Sequence, residues 1–258
     1  MNSGKERIKK AFSRSATTYD NYSDVQKEMA GILSEYMPDL KPKRILELGC
    51  ATGYYTSILS DNFPEAAITS VDFSEEMVET ASFRLKGNSN IHLACKDAED
   101  FLSHCNKSFD LITSNAAIHW FTDQELAFQN IMERLNRDGL LLCTLLGPAT
   151  FHELGQALHH VLNRPVPIAA EHFQSSEQLA SILNKLFKKS EIHEITIQRH
   201  YNSTLELLRQ IKYTGTTGGS TSSIDLCKTR LTAMDQWFNK KYGTCRATYQ
   251  VCIVHAGT

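Results

Sequence analysis

The chain has 258 residues, with 27 basic and 29 acidic side chains and a formal net charge of −2 at pH 7. This length allows one large or two small domains. The nearly neutral charge disfavours general nucleic-acid binding, which usually requires a clearly basic domain. The longest strongly apolar run, residues 140–146, is too short to cross a bilayer, and the charged segment 1–10 lacks the apolar core of a secretory signal. We therefore expect no membrane contact.

The seven cysteines are scattered along the chain and form no C-x-x-C pair. Neither a disulfide framework nor a zinc site has the spacing it requires, which favours a cytoplasmic location. Three of the ten histidines, at positions 152, 159 and 160, lack an accompanying carboxylate at metal-ligand spacing. We therefore predict that the protein holds no metal.

The N-terminal segment has apolar residues at helical spacing. They surround Ile8 and Phe12, and the pattern repeats from Val25 to Tyr36 before Pro38 and Pro42 interrupt the chain. This pattern predicts an N-terminal helical cap over residues 1–42.

Residues 43–147 alternate between short apolar runs and amphipathic stretches. The predicted strands are 44–48, 67–71, 91–95, 109–113 and 140–145, and the predicted helices are 54–63, 75–85, 98–104 and 124–135. Apolar strands separated by helices predict a parallel sheet covered on both faces. Right-handed crossovers then place every strand end, and the ligand, on one edge of the sheet.

The pattern after Gly147 is less regular. We predict helices at 151–162, 177–187, 205–213 and 226–238, strands at 192–197 and 248–255, and a stretch rich in glycine, threonine and serine at 215–223. The simplest account is a single α/β domain over residues 1–258. It consists of the helical cap, a ligand-binding core over 43–147, and a C-terminal part over 148–258 with helical lid insertions near 150–188 and 202–244.

The segment 44–53, RILELGCATG, ends a predicted strand in an acid and continues into a glycine turn. Gly49 lets the backbone approach a ligand closely, and Gly53 allows the next helix to pack tightly. Asp72 closes the second predicted strand, where a carboxylate can accept two hydrogen bonds from a ribose diol. Asp97 follows the third strand, where an acid can bind an adenine amino group. Together with Glu47, these acids are expected to face one crevice.

The acids discriminate between nucleotide cofactors. A dinucleotide-binding loop has the pattern G-x-G-x-x-G and holds a pyrophosphate on backbone amides, but position 51 is alanine here and Glu47 would repel phosphate. The same carboxylate suits a phosphate-free ligand with an ammonium group and a positive sulfonium, which describes S-adenosylmethionine (SAM). The loop, Asp72 and Asp97 together resemble the SAM-binding motifs of the class I SAM-dependent methyltransferases. This resemblance implies a Rossmann-like, mainly parallel seven-stranded sheet with helices on both faces.

The expected SAM site combines residues at the ends of the first four strands. They are Glu47, Gly49, Cys50, Ala51, Gly53, Asp72, Phe73, Met77, Asp97, Ala98, Glu99, Asn115 and Ala116.

The tip of the fourth strand, within FDLITSNAAIHW at 109–120, is where methyl transfer takes place in this superfamily. It lacks the Asn-Pro-Pro-Tyr/Phe run that accompanies methylation of a flipped base or an amide nitrogen, and the cysteine of pyrimidine C5 methylation. His119 can act here as a general base, or as a substrate-facing hydrogen-bond donor or a packing residue. Both interpretations stay open at this point.

Segments along almost the whole chain are similar to the malonyl-acyl-carrier-protein O-methyltransferases of biotin biosynthesis. They are AFSRSATTYD at 11–20 with Gln26, SNAAIHW at 114–120, LLGPATFHEL at 145–154, LLRQIKYTGTTGG at 207–219 and TYQV at 248–251. There are departures from the family pattern. Ala51 replaces a usual glycine, Arg137-Asp-Gly139 replaces a Pro-Gly turn, and His119 stands where glutamine is common.

The resemblance implies transfer of a methyl group from SAM to the free carboxylate of a malonyl thioester on an acidic acyl carrier protein, with S-adenosylhomocysteine as the second product. A carboxylate with an ordinary pKa of about 4 is ionised at neutral pH and needs no general base. Catalysis then depends on alignment and on exclusion of water.

The family also implies an aromatic lid over the site. Tyr19 is the leading candidate, followed by His119, Trp120 and Phe173. Arg209 and Lys212, three residues apart on one helical face, are candidates for contact with the substrate or its carrier. Nothing in the sequence requires more than a monomer.

Other interpretations stay open. The acceptor can be a trans-aconitate-like carboxylate or a quinone-ring carbon, and the thioester can belong to coenzyme A. The protein can also be a non-catalytic SAM-binding module, or an NAD-dependent oxidoreductase, which the loop disfavours. Tyr19 can be a packing residue, while Arg209, Lys212 and the lysines at 185, 188 and 189 can belong to solvated helix faces.

Overall fold

Seven strands form one sheet in the part of the chain that the computed structural model describes, which is residues 3–37, 39–216 and 226–258. They are β1 (Arg44–Leu48), β2 (Ala67–Asp72), β3 (Ile91–Cys95), β4 (Phe109–Asn115), β5 (Leu135–Leu146), β6 (Lys189–Tyr201) and β7 (Cys245–Gly257). Their order is β3-β2-β1-β4-β5-β7-β6, and β7 runs antiparallel to both of its neighbours. This is the mainly parallel class I methyltransferase sheet that the sequence predicted.

Helices precede and connect the strands. They are α1 (Ser3–Ser15), α2 (Tyr19–Tyr22), α3 (Asp24–Glu35), α4 (Tyr54–Asn62), α5 (Glu75–Arg84), α6 (Ala98–His104), α7 (Gln124–Arg134), α8 (His152–Leu162), α9 (Ser176–Leu186), α10 (Thr204–Tyr213) and α11 (Lys228–Tyr242). The side chains of Ser74, Asp97, Asp123 and Ser175 accept hydrogen bonds from first-turn N–H groups of α5, α6, α7 and α9. These caps fix where the four helices begin.

The core has two halves, one on each face of the sheet. In β1, Ile45 packs into one half and its neighbour Leu46 into the other, because successive side chains of a strand point to opposite faces. Buried residues of α3, α4, α8, α10 and α11 cover the first face, and those of α6, α7 and α9 cover the second. The central strands are therefore buried on both sides, as their apolar runs predicted.

The elements differ from the prediction mainly at their ends. β6 and β7 extend beyond 192–197 and 248–255, because their antiparallel ladder continues past the apolar positions, from Lys189–Gly257 to Tyr201–Cys245. Leu135, predicted as helical, pairs with Phe109 and begins β5. Pro38 and residues 217–225 lie outside the described residues. The second of these gaps covers part of the predicted stretch 215–223, of the motif 207–219 and of the insertion 202–244.

No helix within the described ranges is long and apolar enough to cross a membrane.

Candidate active site

The loop between β1 and α4 turns sharply at the carboxyl edge of the sheet. Gly49 and Gly53 both have a φ of +79°, a left-handed conformation that glycine adopts readily. A Cβ atom on Gly49 would lie 2.3 Å from the Cβ of Ala117, so a side chain does not fit there. Ala51 also lies in the left-handed region, with a φ of +46°, although it carries a side chain. The loop therefore requires glycine at position 49 and tolerates alanine at position 51.

Asp72, the last residue of β2, holds this loop in place. Its Oδ2 atom accepts a hydrogen bond of 2.9 Å from the N–H of Ala51, and its Oδ1 atom accepts one of 2.9 Å from the N–H of Ser74. Burial raises the pKa of Asp72 to about 6, although these N–H donors lower it. The carboxylate is therefore largely ionised at neutral pH.

Glu47 lies beneath the loop. Its Oε2 atom accepts hydrogen bonds from Thr56 Oγ1 at 2.6 Å and Ser70 Oγ at 2.7 Å. Burial raises the pKa of Glu47 to about 7, and the nearby charge of Asp72 adds to the increase. Within the described chain, neither Glu47 nor Asp72 forms an ion pair. These two buried acids therefore create a negative potential that a cationic ligand can neutralise.

Asp97 and Glu99 lie where β3 leads into α6, and both pair with Lys5 of α1. Lys5 Nζ is 2.5 Å from Asp97 Oδ2, and it also contacts the Glu99 carboxylate. Glu99 accepts further hydrogen bonds of 3.0 Å from the N–H groups of Thr122 and Asp123. Asp97 thus faces the cleft, whereas Glu99 faces the segment after β4.

A cleft of about 870 Å³, partly open to solvent, lies between this edge and the N-terminal helices. Most residues predicted to bind SAM line it, namely Gly49, Cys50, Ala51, Asp72, Phe73, Asp97, Ala98, Asn115 and Ala116. The predicted catalytic residues Tyr19 and Trp120 line it too. Glu47, Gly53, Met77 and Glu99 are not part of its lining.

Sequence reasoning missed several residues of the cleft wall. They are Lys5, Phe12, Ser23, Gln26, Lys27, Thr52, Tyr54, Tyr55, Ala117 and Phe121. Phe12 and Gln26 stand in the N-terminal segment that carried the family resemblance, and this was their only signal. Tyr55 is buried against β4, with 2.8 Å between its hydroxyl and Thr113 Oγ1.

The N-terminal helices attach directly to the cleft. Ser13 Oγ lies 3.0 Å from Ser74 Oγ, and Asn115 Nδ2 donates a hydrogen bond of 2.9 Å to the carbonyl of Gln26. The Oδ1 atom of Asn115 accepts from Thr144 Oγ1 at 2.8 Å, so this amide has partners on both sides. The N-terminal helices therefore form one wall of the cleft.

An aromatic cluster follows the end of β4. The Trp120 ring meets Phe12 at 6.2 Å and Phe173 at 5.2 Å between centroids, both edge-on. His119 packs on Phe173 at 4.6 Å. Of these residues, Phe12 and Trp120 line the cleft, whereas His119 and Phe173 are buried behind Trp120.

Arg209 and Lys212 are exposed on α10 and are not part of the cleft lining. Lys212 Nζ lies 5.7 Å from the centroid of the Tyr213 ring, and that ring stacks on Tyr22 of α2 at 4.8 Å. The basic side chains thus lie on the helix that supports the N-terminal cap. The lysines at 185, 188 and 189 are exposed as well.

The residues of the cleft fit SAM. The acids Asp72 and Asp97 line the cleft, and the left-handed loop brings its backbone against the same space. The buried acids Glu47 and Asp72 disfavour a phosphate and favour a positive charge. In the described ranges, no three His, Cys, Asp or Glu side chains form a cluster that could hold a metal.

Comparisons with known proteins find methyltransferases. A family model described as a methyltransferase domain matches residues 45–139. The chain is 32% identical over 258 residues to the malonyl-[acyl-carrier protein] O-methyltransferase of Anoxybacillus flavithermus, covering 96% of this chain and 95% of the relative.

Two solved structures share the fold. The YcgJ protein from Bacillus subtilis matches with a TM-score of 0.62 and 18% identity, covering 90% of this chain and 98% of that one. The Haemonchus contortus phosphoethanolamine N-methyltransferase 2, in complex with phosphomonomethylethanolamine and S-adenosylhomocysteine, matches with a TM-score of 0.57 and 18% identity, covering 90% of this chain and 52% of that one. The fold, the cleft and the near full-length relative agree with the resemblance found in the sequence, and the chain belongs to the malonyl-[acyl-carrier protein] O-methyltransferase family.

Proposed function

We propose that the protein transfers the methyl group of SAM to the free carboxylate of a malonyl thioester held on an acyl carrier protein. The observation that carries this proposal is that a relative covering 96% of the chain bears that activity in its name. The product is a methyl ester, whose masked charge lets it serve as a primer for chain elongation in biotin synthesis.

The cofactor side of the reaction depends on the acids at the sheet edge. SAM supplies a methyl group on a positively charged sulfonium when it is bound. In this proposal Asp72 accepts hydrogen bonds from the ribose hydroxyls and Asp97 accepts one from the adenine, which is supported by their position in the cleft lining. The ionised form of the buried Glu47 attracts the cationic part of the ligand. We assign the other predicted residues of the loop and strand ends, including Gly53, Met77 and Glu99, to the support of this site.

The acceptor side requires orientation more than proton transfer. A malonyl carboxylate is already ionised at neutral pH, so the reaction needs no general base. Burial raises the pKa of Tyr19 above its usual value, so its hydroxyl keeps the proton and can donate a hydrogen bond to that carboxylate. Trp120, Phe12 and Phe121 surround the same space with apolar surface, which limits the access of water.

The remaining assignments support this function. The contacts of α1, α2 and α3 with the cleft support residues 1–42 as a cap on the core at 43–147, with the insertions of 148–258 completing the lid. Arg209 and Lys212 lie on an exposed face and are proposed to meet the acidic carrier protein. We infer a monomer in the cytoplasm that binds neither nucleic acid nor membranes.

The decisive experiment is a mass measurement on the methylated product. The protein is incubated with SAM, malonyl carrier protein and malonyl coenzyme A, and we expect the added methyl group on the carrier protein. Methylation confined to trans-aconitate or a quinone would overturn the proposed acceptor. Tight SAM binding without turnover on any carboxylate would show a non-catalytic binding module instead.

A further inference from the structure

A second cavity of about 700 Å³, partly open to solvent, lies next to the cofactor cleft. Trp120 and Phe121 line both spaces and form the wall between them. The other walls include Ile8 of α1 and Phe173, which follows the short helix Ala169–His172. The N-terminal cap and the insertion after β5 therefore meet at this cavity.

His119 presents an unused donor in the wall of this cavity. Its Nδ1 atom accepts a hydrogen bond of 3.3 Å from the N–H of Leu146. Burial lowers the pKa of the ring to about 3, so the ring is neutral and its single proton lies on Nε2. That Nε2 atom is buried and has no partner among the described residues.

Gln124, the first residue of α7, presents an unused acceptor in the same wall. Its Oε1 atom is also buried without a partner in the described part of the chain. A buried polar atom without a hydrogen bond destabilises a fold, and such atoms are rare in native proteins. Two of the four such side-chain atoms in the described residues belong to residues that line this one cavity.

We infer that the second cavity binds the amide-bearing arm through which a carrier holds its acyl thioester. His119 Nε2–H donates to the carbonyl oxygen of one amide, and Gln124 Oε1 accepts from the N–H of the same arm. This inference rests on the proposed function and assigns a specific site to the thiol portion of its substrate.

The chemistry of the lining favours an amide over a charged group. The described residues that line the cavity include no Asp, Glu, Lys or Arg, so a cationic ligand would find no counter-charge, and His172 is the one lining side chain besides His119 that could offer a charge to an anion. The aromatic side chains of Trp120, Phe121 and Phe173 suit the methylene groups on either side of an amide. The unused donor of His119 and the unused acceptor of Gln124 match the carbonyl oxygen and the N–H of a peptide-like group.

The test compares two malonyl thioesters of equal length, made from N-acetylcysteamine and from pentanethiol. Only the first carries an amide. We expect the protein to methylate the N-acetylcysteamine thioester with a kcat/KM about 5- to 30-fold higher, as one or two neutral hydrogen bonds provide. The preference should arise mainly from KM, since the amide lies away from the reacting carboxylate.

Paired substitutions assign the preference to these side chains. His119→Asn can keep an acceptor for Leu146 N–H but has no atom at the Nε2 position, whereas His119→Gln keeps a donor there. We expect His119→Asn and Gln124→Met each to reduce the preference about two- to tenfold, and His119→Gln to retain it. Gln129→Met, at an exposed position of the same helix, serves as the control and should behave as the wild type.

The possible outcomes separate the two proposals. Equal rates of wild-type methylation of both thioesters, or an unchanged preference in His119→Asn and Gln124→Met, would overturn the amide site and leave the proposed function intact. Failure to methylate every malonyl thioester would overturn the proposed function and this inference with it. If the His119→Asn variant does not fold, the preference measured for Gln124→Met alone tests the amide site.

Discussion

The Thr52 hydroxyl donates a hydrogen bond to the Asp20 carboxylate, with 2.7 Å between Oγ1 and Oδ1. Thr52 belongs to the cofactor loop, and Asp20 belongs to the N-terminal segment. Arg84 at the end of α5 completes the contact, because its Nε donates to the Thr52 carbonyl at 2.9 Å and its guanidinium pairs with Asp20. One carboxylate thus joins the cap, the loop and α5, and it directly follows Tyr19 in the chain.

Replacing Asp20 by alanine should weaken SAM binding without unfolding the protein. The loss of one hydrogen bond and a partly exposed ion pair frees the cap from the loop, and we expect the Kd for SAM to rise about two- to tenfold in calorimetry. Asp61→Ala, at an exposed acid of α4, is the matched control and should leave the Kd unchanged. An unchanged Kd in Asp20→Ala would show that this contact between the N-terminal segment and the loop does not contribute to cofactor binding.

Replacing Glu47 by glutamine should stabilise the ligand-free protein at pH 8. The folded pKa of about 7 lies above the ordinary 4.5, so ionisation of Glu47 destabilises the fold progressively as pH rises from about 4.5 to about 7. Glutamine accepts from the same two hydroxyls without the buried charge, which should raise the unfolding free energy by about 1–3 kcal/mol at pH 8.

Urea unfolding at two pH values tests this expectation, because the gain should shrink at pH 5, where the native carboxyl is already protonated. A variant that is less stable than the wild type at pH 8 would contradict it. The same variant should bind SAM more weakly, because a buried negative charge beneath the cofactor loop has been removed. Such a trade of stability for binding is expected at functional sites.

Positions 49 and 51 of the loop are both left-handed, but they should respond differently when glycine and alanine are exchanged. Gly49→Ala places a Cβ 2.3 Å from that of Ala117 at a positive φ and should destabilise the protein by about 2–4 kcal/mol. Ala51→Gly removes the strain of a left-handed alanine, but it also increases the conformational entropy of the unfolded chain. Because these two effects oppose each other, the free energy of unfolding should stay within about 1 kcal/mol of that of the wild type. Equal stability of Gly49→Ala and the wild type in urea unfolding would show that the loop adapts.

The SAM affinity should depend on pH through Asp72. Its ionised form accepts hydrogen bonds from the ribose, so the Kd should be nearly constant between pH 6.5 and 7 and rise by up to about tenfold per pH unit below pH 6. Calorimetry from pH 5 to 7 measures this profile. Asp72→Asn should bind more weakly at pH 7 and flatten the profile, whereas an unaltered profile in that variant would assign the pH dependence to another group.

The sequence predicted the fold and the strand-end acids because both follow from local patterns. Apolar runs marked the buried strands, and each of Asp72 and Asp97 could be placed by the strand that it follows. Residues that reach the cleft from a distance had no such signal. Lys5 meets Asp97 across 92 positions of the chain, and helical periodicity does not reveal which partner a charged side chain will find.

The position of Glu47 shows a second limit of sequence reasoning. Its place at the end of β1 predicted an acid that faces the ligand, but Glu47 lies beneath the loop and does not line the cleft. The hydroxyls of Thr56 and Ser70 bind one of its oxygens, however, and both come from other elements. His119 is similar, since only tertiary packing determines that it lies behind Trp120 rather than in the cleft.

Tyr19→Phe tests the role of the tyrosine hydroxyl at the acceptor. The protonated hydroxyl is expected to bind a charged carboxylate, and hydrogen bonds of this kind contribute about 1.5–3 kcal/mol, so kcat/KM for the malonyl thioester should fall about tenfold or more. The Kd for SAM should stay within about twofold of the wild type. Tyr22→Phe, in the same short helix, is the control, because the Tyr22 ring stacks on Tyr213 and that contact does not need its hydroxyl. Wild-type turnover in Tyr19→Phe would make Tyr19 a packing residue, whereas loss of SAM affinity along with turnover would place its hydroxyl at the cofactor instead of the acceptor.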